Sequence, residues 1–123
     1  MSGNAITINW FEIPVSDIDR AGKFYESVLG VALIPMDMPD TKMKAIPGAD
    51  GMPAGALVET AHNQPSATGS LIYFGNGGDL STMLDKVANA GGQVLMPKTD
   101  IGPYGSIAQF SDTEGNRIAL HNR

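Results

Sequence analysis

Between Ile6 and Val15 the chain (ITINWFEIPV) is rich in β-branched and aromatic residues, and the pattern predicts a strand. Alternation sends Phe11, Ile13 and Val15 to one face, and Trp10, Glu12 and Pro14 to the other. The first set is a core face. The second mixes an aromatic, an acid and a proline, which suits a face looking into a cleft. The period then changes. Ser16 is positioned as a helix N-cap, with Asp17 and Asp19 in the first turn at the positive end of the dipole. Ile18, Ala21, Tyr25, Val28 and Leu29 form one apolar stripe at helical spacing, and Gly30 ends the helix. A short strand over Val31 to Ile34 stops at Pro35.

Residues 36–53 carry three prolines and two glycines, and predict loops around one short strand near 42–46. Gly55 to Thr60 (GALVET) is a strand, and the polar stretch 61–69 (AHNQPSATG) a linker. The pattern then starts again. Ser70 to Phe74 is a strand, Asn76 to Gly78 a bend, and a helix carries Leu80, Met83, Leu84 and Val87 to the pair Gly91-Gly92. Gln93 to Met96 is a strand ending at Pro97, and Ser106 to Ser111 another. A turn at Asp112-Thr-Glu-Gly115 leads into the last strand, Asn116 to His121, with Ile118 and Leu120 toward the helix and Ala119 and His121 opposite. An offset of 62 overlays Asp17 on Asp79, Ile18 on Leu80, Gly30 on Gly92, Leu33 on Leu95 and Pro35 on Pro97. The chain therefore reads as one α+β domain over 1–123: one βαβββ module at about 5–61, a linker at about 61–69, and a second module at about 70–123.

Composition narrows the partners. A net charge of −5, with eight Lys and Arg scattered among thirteen Asp and Glu, disfavours nucleic acid and anionic membrane. No cysteine is present, which removes disulfides, thiolate metal sites and cysteine nucleophiles, and is compatible with the expected cytoplasmic location. No signal peptide or membrane-spanning run is expected. P-loop, dinucleotide-binding and nucleophile-elbow motifs are missing, and Gly75 to Gly78 falls where the repeat places a turn. The expected partners are a small molecule and a second copy of the chain in a C2 homodimer.

Three segments carry a resemblance: FEIPVSDIDRAGKFYESVLG at 11–30, AGGQVLMP at 90–97 and FSDTEGNRIAL at 110–120. They resemble the vicinal oxygen chelate superfamily, which includes glyoxalase I, extradiol dioxygenases, fosfomycin-resistance enzymes and bleomycin-binding proteins, and within it a glyoxalase-like branch. The resemblance implies paired βαβββ modules whose sheets curl into a half-open, barrel-like cleft. In enzymatic members it implies one divalent metal (Zn, Ni, Mn or Fe), held by His or Glu from both modules. On this chain those ligand positions fall on Trp10, on Glu59 within one residue, in the window Ser70–Ile72, and on Ala119. Only Glu59 can ligate a metal, because indole has no lone pair to give.

No metal and no cofactor is therefore expected, and the expectation is a binding protein for a small, partly apolar molecule. The alternative is a metal-dependent lyase, isomerase or dioxygenase with a non-standard ligand set. Trp10 then either plugs the metal's space or stacks on a ligand. Glu12 is either a general base or a carboxylate tied at the mouth. Glu59 and Glu12 are the catalytic candidates, and with His121 they form a cluster if all three face the cleft. Ile72, Tyr104, Gln109, Ala119 and His121 complete the expected pocket with Trp10, Glu12 and Glu59. His62 lies in the linker, and Met36, Met38, Met43 and Met52 form an adaptable wall if their loop folds over the pocket.

Overall fold

The structure is a computed structural model that describes residues 5–123; residues 1–4, counted within the expected single domain, lie outside the described residues. The order is β1 (Phe11–Pro14), α1 (Ile18–Leu29), β2 (Ile34–Met38), β3 (Thr41–Pro47), β4 (Pro53–Glu59), β5 (Tyr73–Phe74), α2 (Ser81–Leu84), β6 (Gln93–Asp100), β7 (Ser106–Ser111) and β8 (Arg117–Asn122). They build two four-stranded mixed sheets, ordered β1-β4-β3-β2 and β5-β8-β7-β6. In each, the first strand lies parallel to the last and the other pairings are antiparallel. The two sheets thus repeat one topology, and neither closes into a barrel. Among the described residues no helix is long and apolar enough to cross a membrane.

Several boundaries move from their sequence-based positions, each for a local reason. Residues 6–10 do not join β1; continuing the β1–β4 register carries residues 6–8 past the start of β4 at Pro53, and Ile6 and Ile8 stay 95% and 86% exposed. Asp17, not Ser16, caps α1: its carboxylate accepts the N–H groups of Asp19 and Arg20, both at 3.1 Å. Gly30 does end the helix, at φ 71°, where a side chain would be strained. Pro35 lies inside β2, not after the strand, since β2 is a sheet edge and edges tolerate a missing N–H. Likewise β6 runs through Pro97 on the opposite edge, with register shifts on either side of Met96. The second helix is shorter than its apolar stripe predicts. After Leu84 it continues as turns bonded mainly three residues apart (Lys86 to Met83, Val87 to Leu84), which still bury Val87.

One hydrophobic core lies between the sheets and the helices. It combines Ile13, Phe24, Tyr25, Val28 and Leu57 with Leu80, Met83, Val87, Phe110 and Leu120, so both halves of the chain feed it. The start of α1 locks the halves together. Glu114, from the β7–β8 turn, accepts the N–H groups of Ser16 (2.9 Å) and Asp17 (3.0 Å) and both Nε and Nη2 of Arg20 (2.8 and 2.9 Å). Asp112 bridges the Tyr25 hydroxyl and the Asn116 amide, which also reaches the Pro14 carbonyl at 2.8 Å. Gly115 turns this loop at φ 95°. The DTEGN run is thus a latch between the halves.

Candidate functional site

The sheet faces turned away from the helices form the half-open cleft, and strand register says which side chains reach them. On β1 and β4, Glu12 pairs with Ala56 and Pro14 with Val58; on β5 and β8, Tyr73 pairs with Ala119. Further out lie Met43 paired with Met36, and Gln109, the neighbour of Ala119 on β7. Trp10 precedes β1, is 38% exposed, and donates its indole N–H to a Glu12 carboxylate oxygen at 3.2 Å. Trp10 and Glu12 therefore meet on the cleft side.

Glu59 does not join them. It follows Leu57 by two residues, so it shares the helix-facing side of β4, and its carboxylate accepts the Ile18 N–H at 2.8 Å. Lys42 stands 4.0 Å from its other oxygen. The second module repeats the contact: Asn122, at the end of β8, accepts the Leu80 N–H at 2.8 Å. Glu59 and Asn122 are the same clamp, which ties the end of the last strand to the start of the helix. Counting back from the two clamps makes Ala56 the counterpart of Ala119. The last strand of each module thus presents alanine, not a metal donor, at the matching cleft position.

His121 faces the cleft side of β8, and its Nε2 lies 2.7 Å from the Tyr104 carbonyl. A carbonyl only accepts, so Nε2 carries the proton and is committed to this contact. Tyr104 itself is 67% exposed, in a short 3-10 turn at Gly102–Tyr104. Ile72, one residue from Tyr73, points toward the core and packs against it. His62 is exposed in the linker. Glu12, Glu59 and His121 do not converge: among the described residues no group of three His, Asp or Glu side chains is placed to hold a metal ion. The residues present do not fit the divalent metal that the fold family implies.

Arg117 was absent from the sequence-based set. It stands two residues before Ala119, so alternation along β8 alone puts it on the cleft face. Its Nη1 donates to the Gln109 side-chain oxygen at 2.8 Å, and no described carboxylate lies within 4.0 Å of it. Two recesses open along the seam between the sheets. One, of about 300 Å³, is bordered by Glu12, Arg117, Ser70 and linker residues including Gln64 and Ser66. The other, of about 920 Å³, is more apolar, with Phe11, Ile46, Met52, Tyr73 and Phe74 in its walls. Ile72 lines both. Of the four methionines, Met36 and Met43 face the cleft as a cross-strand pair, Met52 borders the apolar recess, and Met38 is exposed at the end of β2.

Similarity to known proteins agrees with this architecture. A family model described as the Glyoxalase/Bleomycin resistance protein/Dioxygenase superfamily matches residues 7–120. A glyoxylase-like domain-containing protein of Didymella fabae is 34% identical over 122 residues, 94% of this chain and 93% of that protein. A putative glyoxylase of Mycobacterium bovis is 29% identical over 123 residues, which are 93% of this chain but 44% of that protein. Among solved structures, a glyoxylase/bleomycin resistance protein/dioxygenase domain from a Frankia species superposes with a TM-score of 0.75 at 17% identity, over 96% of this chain and 98% of that one. At that identity the likeness is one of fold.

Proposed function

The chain belongs to the glyoxalase/bleomycin resistance protein/dioxygenase superfamily, and from that premise we propose that it is a glyoxalase-like protein binding a small, partly apolar molecule between its two modules without a divalent metal. The observation that carries this reading is the chemistry of the cleft positions. Glu12, Ala56, Tyr73 and Ala119 stand where the two modules mirror each other, and Glu59 is committed to a helix start on the other side of its sheet. Aromatic and thioether groups (Trp10, Tyr73, Met36, Met43) give such a site polarizable walls, and the two recesses, which share Ile72 as a wall, offer a polar end and an apolar end.

Trp10 is the sole tryptophan, so its emission reports on the cleft. Titration with a neutral planar probe such as indole-free naphthalene derivatives is expected to quench it saturably, and Trp10→Ala is expected to weaken binding about tenfold by calorimetry. Calorimetric titration with Zn, Ni, Mn or Fe ions is expected to give no saturable heat; micromolar binding of any of them would sink the metal-independent reading.

A glyoxalase-like lyase is the second reading. It is favoured by Glu12, an exposed cleft carboxylate with no described cation within 4.0 Å, whose second oxygen is left to act as a base while the first accepts the Trp10 indole N–H. Loss of a lyase activity in Glu12→Gln would support it, and an unchanged rate would remove Glu12 from it. A second copy of the chain is the proposed macromolecular partner, and the cytoplasm, with which a cysteine-free chain is compatible, the proposed compartment.

A further inference from the structure

The smaller recess holds two charges of opposite sign that do not neutralise each other. Glu12 comes from β1 and Arg117 from β8, so each module contributes one. Both line the same space of about 300 Å³, yet they form no ion pair within 4.0 Å. Each is held by a neutral neighbour instead: Glu12 accepts from the Trp10 indole, and Arg117 donates to Gln109. Such a neighbour orients a charge without cancelling it. Arg117 is half-buried, and a guanidinium keeps its charge at any physiological pH. Only one of its five N–H groups is engaged by Gln109, leaving donors with the fork geometry that suits a carboxylate.

We propose that this recess binds the head group of a small zwitterion of the amino-acid class, with its carboxylate on Arg117 and its ammonium on Glu12. The gap between the two side chains is then the space the head group fills. Ile72 borders this recess and the apolar one, so the same molecule's side chain extends toward Phe11, Tyr73 and Phe74, which favours apolar amino acids over polar ones. The inference rests on the cleft being a small-molecule site, and it names the polar end of that molecule.

The test is calorimetric titration of the full chain with L-phenylalanine, N-acetyl-L-phenylalanine and L-phenylalanine methyl ester. The free amino acid is expected to bind saturably. Blocking either its ammonium or its carboxylate is expected to weaken binding about tenfold or more. Arg117→Gln should remove the penalty for the methyl ester, and Glu12→Gln the penalty for N-acetylation, while thermal melting confirms that both variants stay folded. Equal binding of all three compounds, or penalties unchanged in the variants, overturns the assignment. Absence of binding by L-phenylalanine up to roughly 10 mM overturns it too. Neutral naphthalene in the same sample separates the two readings: if it still quenches Trp10 when the amino acid fails to bind, the zwitterion falls and the cleft site stands.

Discussion

At the scale of single residues, Glu114 bears the most. Its side chain has no exposed surface, yet it stays ionised with its pKa lowered from 4.5 to about 2. Burial alone would raise it; hydrogen bonds from Arg20, Thr113 and the Asp17 and Ser16 N–H groups outweigh that penalty. Because the folded state holds the carboxylate below its unfolded value, the stabilisation is complete above pH 4.5 and is lost as pH falls toward about 2. Glu114→Gln keeps the size and removes the charge, leaving N–H donors and a guanidinium facing an amide. The expected cost near neutral pH is about 2–3 kcal/mol, discounted because Arg20 is half exposed. Urea unfolding at neutral pH and again in acid checks both halves: the gap between variant and wild type should close as pH drops. A variant as stable as the wild type at neutral pH would refute this role. Tyr25 is the complementary case. Burial first, then the charge of Asp112, pushes its phenol well above its ordinary value of 10.0, so it enters the latch as a neutral donor.

Elements show how far the sequence could be read. Helix α1 was legible because its signals are local: an apolar stripe, an acidic first turn and a glycine at positive φ. The cap lies at Asp17, one residue past the expected Ser16, without consequence for the fold. An equal slip in a strand has large consequences, since neighbouring residues face opposite sides. Placing a ligand position on Glu59 within one residue left its face undecided, and the side chain turned out to clamp α1. The repeat held the missing information, because Asn122 occupies the matching place, but that equivalence appears only once both helix starts are seen. Glu12 and Trp10 were read onto the right face because β1 lies next to an unambiguous core set, Phe11, Ile13 and Val15. Arg117 does not stand out in the sequence, because one charged residue in a strand is ordinary until its partner is seen to be a glutamine. The edges carry a further consequence. β2 and β6 end their sheets, with Ile34, Met38, Val94 and Leu95 between 38% and 54% exposed, and unpaired apolar edges favour association. Val94→Glu is therefore expected to shift a C2 dimer toward monomer in sedimentation velocity without lowering its melting temperature by more than a few degrees. A monomeric mass for the wild type would count against the dimer itself.

Across the whole molecule, two repeated sheets share one core, and this fixes how the chain unfolds. Phe24 of α1 packs on Phe110 of β7 with ring centroids 5.8 Å apart, and Phe11 of β1 on Phe74 of β5 at 5.6 Å. The second module's own helix is four residues long, so its sheet relies on α1 for cover. Buried Asp112 and Asn116 each reach across to the first module, to the Tyr25 hydroxyl and the Pro14 carbonyl; separating the modules would break both of these bonds, at about 1–3 kcal/mol each. The modules are therefore expected to unfold together, in one transition, although the sequence reads as two copies of one unit. Two probes test this: Trp10 emission reports the first module, and amide exchange along β7 and β8 the second. Their midpoints in urea should coincide, and Phe24→Ala should lower the unfolding free energy read by either probe equally, by about 3–5 kcal/mol. Protection surviving in β7 and β8 after the Trp10 signal is lost would mean that the second module stands alone. The cleft would then be a junction between independent bodies. Coincident loss means that Glu12 and Arg117, one from each module, are held at a fixed separation by a single cooperative fold.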